Sequence, residues 1–185
     1  VCRGITYYKD NLDNSFIFYG VGSKLFKINT FDGYPDYKFG DGGYVDLHKG
    51  LGENSSSLYV SMTSPGVIYK NTIIVGSRVS EGNPAAKGNI RAFDSNTGDL
   101  VWVFRTIPEP GEVGYESYED PDAHLRLGGA NAWSGLTLDN EKGILYAPTG
   151  SVSYDFYGGD RKGDNLFANS ILAIKAESGE RLWHY

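Results

Sequence analysis

The stretch AFDSNTGDLVW, Ala92 to Trp102, returns as AIKAESGERLW, Ala173 to Trp183, with Ala, Gly and Trp at the same offsets in both copies. A third, degraded copy is KINTFDGYPDY, Lys27 to Tyr37, where Gly33 stands where Gly98 and Gly179 stand and Tyr37 takes the tryptophan's place. Each copy reads as a short strand, a polar turn whose Gly can take positive φ, and a strand carrying one large aromatic. Such a unit cannot bury its apolar face alone, so units must stack beside one another. Trp102 and Trp183, recurring at the repeat position, are expected as core residues packed between units.

Composition points the same way. Among 185 residues there are 25 Gly, 14 Tyr and 9 Phe, and no window holds a sustained 3.6-residue apolar period. Short or alternating apolar runs abound instead: SFIFYGV, GVIYKNTIIVGS, NIRAFD, LVWVF, GILYAP and SILAIKA. The expected class is all-β, with one domain's worth of residues. A net charge of -6, with no Lys/Arg run interleaved with aromatics, argues against a nucleic-acid partner. Cys2 is the only cysteine, so no intrachain disulfide is expected and the redox compartment is not legible from thiols. No apolar run is long enough for a transmembrane helix, and no signal-peptide pattern opens the chain. The chain starts Val1-Cys2-Arg3-Gly4 without Met and stops at Tyr185 just after a repeat's Trp, which reads as a piece of something longer.

The spacings from Gly33 to Gly98 and from Gly98 to Gly179 exceed the roughly 40 to 50 residues of common propeller repeats. The excess lies in two Gly-, Pro- and acid-rich insertions, Gly40 to Ser61 and Ile107 to Leu127. Long loops on a rigid β scaffold usually carry function. Each unit supplies about four strands, as a propeller blade does, giving two to three blades ending near Tyr37, Trp102 and Trp183, too few to close a ring.

Three motifs ask for a chemical reading. In TSPGVIYKNTIIVGSRVSEG, Thr63 to Gly82, hydroxyls, the Arg78 guanidinium, Ser80 and the Glu81 carboxylate gather at strand ends; read alone, a hairpin with a solvated polar turn is the simpler account. In GGANAW, Gly128 to Trp133, two glycines permit close backbone approach and a flat ligand has an indole to lie on, or Trp133 is core. In PTGSVSYDFYGGDRKGDN, Pro148 to Asn165, Asp155, Asp160, Asp164 and Asn165 offer oxygen ligands, but their spacing fits no calcium loop and an ordinary acidic turn fits as well. Of the three histidines, His124 lies in the second insertion beside Asp120, Asp122 and Arg126, where an imidazole can serve as acid or base or simply sit at the surface. GxSxG, Walker, Rossmann and HExxH patterns are all missing, which disfavours several enzyme classes.

Taken together, RGITYY at Arg3, KINTFDG followed by FGDGGYVDL, TSPGVI at Thr63, RAFDSNTGDLVWVF at Arg91, GGANAW at Gly128 and ILYAPTG through NSILAIKAESGERLWHY resemble the quinoprotein dehydrogenases. The likeness is strongest to the branch of membrane-bound glucose dehydrogenase and its quinate and polyol relatives, and it runs in one register over nearly the whole chain. The resemblance implies an eight-bladed β-propeller tied by tryptophan-docking motifs, with pyrroloquinoline quinone (PQQ) near the axis beside Ca²⁺ or Mg²⁺. It implies cofactor contacts from Arg3, Thr63 (to a PQQ carboxylate), Arg78, Ser80 and Asn131, with Trp133 stacked under the quinone and Glu81 as a metal ligand. His124 lies within one residue of an active-site histidine of the glucose branch. These residue types suit a planar tricarboxylate quinone and a hard cation. Two departures stand out: Ser151 occupies the place of an Asn metal ligand, and Cys2 has no vicinal partner. The family's catalytic Asp falls beyond WHY, so this segment alone is expected to be inactive.

For the parent, the resemblance implies a periplasmic, membrane-associated enzyme that oxidises a small sugar or alcohol by hydride transfer to the metal-polarised quinone, with electrons passing to ubiquinone or a cytochrome. Membrane anchoring would come through parts outside this chain. Two alternatives stay open at this stage: a non-enzymatic PQQ-like propeller scaffold, as in outer-membrane β-barrel assembly lipoproteins, and an inactive fragment that self-associates through open blade edges.

Overall fold

The structure is a computed structural model that describes residues 2–185; Val1 lies outside the described residues. Three four-stranded antiparallel sheets follow one another along the chain, as the alternating apolar runs predict. The first contains β1 (Thr6–Lys9), β2 (Ser15–Val21), β3 (Lys24–Asn29) and β4 (Tyr44–Asp46) in that order. A two-residue strand β5 (Val60–Ser61) precedes β6 (Val67–Tyr69) and β7 (Thr72–Val75), and a matching β8 (Arg78–Val79) pairs back with β5. The second sheet is completed by β9 (Ile90–Asp94) and β10 (Leu100–Phe104). After one turn of helix, α1 (Ala123–Arg126), come β11 (Thr137–Asp139), β12 (Ile144–Pro148), β13 (Ile171–Lys175) and β14 (Arg181–His184). The first strands β1, β6 and β11 adjoin, so the three blades present their lead-in segments to one another.

The repeat seen in the sequence is a repeat of backbone geometry. Trp102 pairs with Ala92 and Trp183 with Ala173 across equivalent ladders. The three turn glycines adopt nearly one conformation, with φ of +75° at Gly33, +77° at Gly98 and +76° at Gly179. Each donates its N–H over 2.9 Å to the residue four back, Asn29, Asp94 or Lys175. Only glycine takes that conformation without a Cβ penalty.

These turns are also docking sites. A Cβ on Gly179 would come within 2.7 Å of the Trp102 ring, whose Nε1 donates to Ala176 O at 3.1 Å. Trp102 is 8 % exposed and Trp183, on the last outer strand, is 46 % exposed, its ring tilted 45° to that of Tyr146 at 5.9 Å. The expectation of an interblade core position therefore holds for Trp102; for Trp183, on the outer strand of the third blade, it concerns a neighbouring blade that this chain does not include. Between the first two blades the glycine is Gly98, and the side chain pressed on it is Val45, with Gly40 N donating to Thr97 O at 2.8 Å. Tyr37 is exposed and lies outside any strand. The first blade thus takes its fourth strand from inside the stretch read as an insertion, because a second turn through Phe39 and Gly43 intervenes before the chain returns to pair with β3.

Two apolar clusters fill the gaps between sheets. Phe18, Leu25, Phe39, Val45, Ile73, Val75 and Phe93 lie between the first and second blades. Ile74, Ile90, Ala92, Trp102, Leu145, Leu172 and Ile174 lie between the second and third. The period of two along β7 and β9 sends successive side chains to opposite interfaces, which is why both strands are buried at nearly every position.

The glycine turns give an internal control. Nothing lies within 4 Å of a Cβ on Gly33, so Gly33→Ala should cost only the backbone strain, about 1 kcal/mol. Gly179→Ala has the same φ and adds the clash with Trp102, so it should cost about 1–3 kcal/mol more. Chemical denaturation of the two variants checks this; equal losses would contradict the docking.

Candidate functional site

Each blade hands the segment before its first strand to a common cleft of about 210 Å³. Arg3 comes from the approach to β1, Thr63 from the approach to β6, and Asn131 and Trp133 from the approach to β11. The far ends of the second strands supply the rest: Arg78, Val79, Ser80 and Glu81 after β7, and Gly150 and Asp155 after β12. Residues from Arg3 to Asp155 converge because first strands adjoin and each lead-in must pass the same point.

The lead-ins are bonded in series. Arg3 N donates to Thr63 O at 2.9 Å, and the Thr63 and Ser64 hydroxyls donate to Trp133 O at 3.0 and 2.8 Å. The close backbone approach expected of GGANAW is present, with Gly129 at φ +81° and a Cβ on Gly128 meeting Ala85 O at 2.1 Å. Asn131, nearly buried, donates its amide to Ser77 O at 2.8 Å and accepts from Gly150 N at 3.1 Å. Trp133 lines the cleft and is 42 % exposed, and the Arg3 guanidinium stands 5.8 Å from its ring centroid. A Cβ on Gly150 would come 3.5 Å from the indole nitrogen, so the glycine leaves room above the ring edge.

The charges are mixed. Arg78 lies 3.5 Å from Glu81, a half-exposed pair of little energetic weight. Asp155 N donates to Glu81 O at 3.2 Å, bringing a second acid beside the first. Burial, and then the charge of Glu81, push the Asp155 carboxyl above the usual range, with Arg161 opposing. Among the described residues no three His, Cys, Asp or Glu side chains converge, so a cation in this cleft would have two carboxylates and must complete its shell with neutral oxygens.

Arg3, Thr63, Arg78, Ser80, Glu81, Asn131 and Trp133 all line this one cleft. Thr63 already spends its hydroxyl proton on Trp133 O, so a ligand carboxylate would have to compete for it. His124 is not among the cleft's lining residues. It sits on α1 with Nδ1 2.9 Å from Pro121 O, its ring edge against Tyr115, in a separate hollow with Leu51 and Lys87. Asp155 was indistinguishable from Asp160 and Asp164 in the sequence; the turn after β12 singles it out, while Asp160 and Asp164 remain exposed outside the cleft. Ser151, in the place of an Asn ligand, donates to Asn169 at 3.2 Å.

The glucose/ethanol/alcohol dehydrogenase β-propeller family, a PQQ family, matches residues 1–185. The chain is 35 % identical to the quinate/shikimate dehydrogenase (quinone) of Acinetobacter baylyi over 89 % of its length and 20 % of that protein's. It is 31 % identical to quinoprotein glucose dehydrogenase A of Acinetobacter calcoaceticus over its whole length and 25 % of that protein's. Among solved structures, a quinohemoprotein alcohol dehydrogenase of Pseudomonas putida HK5 superposes with a TM-score of 0.78 at 25 % identity, over all of this chain and 26 % of that one. The chain therefore spans about a fifth to a quarter of the relatives it matches.

The raised carboxyl sets a pH signature. A folded-state pKa above the unfolded value means the folded state holds its proton longer, so stability from this group is full below the unfolded pKa and falls as pH rises through the folded one. Asp155→Asn should accordingly raise the denaturation midpoint at pH 7, and the gain should fade as the pH is lowered toward 4; a gain independent of pH would contradict the assignment.

Proposed function

Because the chain belongs to the glucose/ethanol/alcohol dehydrogenase β-propeller family of PQQ-dependent dehydrogenases, we propose that its cleft is part of the PQQ site of an enzyme that oxidises a sugar or alcohol hydroxyl. The observation that carries this reading is the gathering of seven residues, from Arg3 to Trp133, on one cleft. They match the group in kind. PQQ is flat and carries three carboxylates; the cleft offers a half-exposed indole with the Arg3 guanidinium standing over it, and the second guanidinium of Arg78, while the Ser80 hydroxyl, like that of Thr63, is already donated, to Gly82 O at 2.8 Å.

The roles follow from chemistry. Trp133 is the floor, and Arg3 and Arg78 neutralise and orient carboxylates at its margins. Asn131, its amide nitrogen held by Ser77 O, fixes the wall beside Trp133. Glu81 and Asp155 are hard oxygen donors suited to Ca²⁺, Mg²⁺ or another hard cation, whose arrival would relieve their mutual repulsion. When bound, PQQ supplies the quinone that accepts hydride from a carbinol, with the cation as Lewis acid. The chain's residues position that group and exclude water from beneath it; the proton-accepting Asp implied by the resemblance has no counterpart among the residues of this cleft.

On this reading residues 1–185 are one three-blade segment of a PQQ-binding propeller, inactive by itself, in a periplasmic enzyme that passes electrons to ubiquinone or a cytochrome. Among the described residues no helix is long and apolar enough to cross a membrane. The test is dye-linked dehydrogenase activity of the longest natural polypeptide containing this chain, given PQQ, Ca²⁺ or Mg²⁺, and a panel of aldoses, polyols and primary alcohols. PQQ-dependent reduction is expected, with Trp133→Ala raising the PQQ concentration required by about tenfold or more. No PQQ-dependent reduction of the dye with any substrate would contradict the proposal.

A further inference from the structure

Among the described residues Arg91 is the largest fully buried side chain, and nothing in the cleft chemistry uses it. It lies on β9 in the interface between the first two blades, among the apolar side chains that close that gap. Among the described residues it forms no ion pair, and its Nε has no hydrogen-bond partner. Burial pulls its pKa down to about 9, opposed only by the charge of Asp46, so the guanidinium remains charged at neutral pH. A buried charge without a carboxylate is costly, and a Met or Leu would fill the same space more cheaply.

What an apolar residue could not do is hold oxygen atoms on two separate segments. Nη1 donates to Leu47 O, and to Lys49 O at 3.4 Å, both in the stretch between β4 and the short helix that follows it. Nη2 donates to Ser77 Oγ, just past the end of β7. Ser77 is itself buried, and its carbonyl accepts the Asn131 amide at 2.8 Å. Asn131 in turn accepts from Gly150 N, and both line the cleft beside Trp133. A Cβ on the neighbouring Gly76 would come 1.9 Å from Ala132 O, so the two backbones are pressed together and cannot adjust independently.

We propose that Arg91 is a positioning residue: from a closed interblade interface it fixes Ser77, and through Ser77 the Asn131 wall of the cofactor cleft, coupling the 40–61 stretch to cofactor affinity. The inference rests on the PQQ reading of the cleft.

The experiment is an equilibrium titration of PQQ with Ca²⁺ into the longest natural polypeptide containing this chain, in the wild-type form and as Ser77→Ala and Ile174→Val. Ser77→Ala removes one hydroxyl and leaves Arg91 its carbonyl partners, so the fold is retained. Ile174→Val places a stability loss of similar size in the other interface. Ser77→Ala should weaken PQQ roughly 3- to 30-fold, and kcat and substrate KM should return to wild type at saturating PQQ. Ile174→Val should leave PQQ affinity unchanged. Wild-type affinity in Ser77→Ala, or equal weakening in both variants, overturns the relay alone. A wild-type polypeptide that binds no PQQ overturns the cofactor reading and the relay with it.

Discussion

The structure depends on the approach of one blade's outer strand to the next blade's turn glycine. Trp102 lies flat against Gly179 with its indole N–H on Ala176 O, and Val45 presses on Gly98 in the preceding interface. A single hydrogen bond of this kind is worth only about 0.5–1.5 kcal/mol, and the burial of the indole rather more. Its larger effect is geometric. By fixing how far the outer strands stand apart, it fixes how close the first strands come together, and the cleft is built where those first strands meet.

That geometry explains why the cleft residues are so scattered in sequence. No blade contains a site. Each contributes a short lead-in and a turn, and the three lead-ins are bonded in series from Arg3 through Thr63 to Trp133. The hydrogen bonds that join the lead-ins are therefore interblade bonds. The buried guanidinium of Arg91 belongs to the same logic, since it ties an interface to a wall.

Much of this was legible in the chain. The offset of Ala, Gly and Trp in two copies foretold matching ladders and matching turns, because only glycine is at ease at the φ near +75° that all three share. The resemblance at Arg3, Thr63, Asn131 and Trp133 named residues that the fold brings to one cleft. Tyr37 misled because position within a repeat is not position within a sheet: the first blade inserts a second turn, and Val45 takes the docking place. His124 stands apart from that cleft, on a short helix against Pro121 O and Tyr115, a placement that neighbouring charges in sequence do not reveal. Asp155 was one acid among several, and only the path of the chain after β12 puts it beside Glu81. Arg91 was invisible for the opposite reason, since an Arg in an alternating strand reads as solvent-facing until both faces of the strand prove to be covered.

The central claim is that lead-ins from three blades form one surface for a flat, polyanionic quinone. The most direct test is a crystal structure of the longest natural polypeptide containing this chain, grown with PQQ and Ca²⁺. Tricyclic density is expected, stacked about 3.5–4 Å from the Trp133 ring, with Arg3 moved from the ring face to its margin and a cation within reach of Glu81. Quinone density away from Trp133, or a Trp133 face still covered by Arg3 at saturating cofactor, would contradict it.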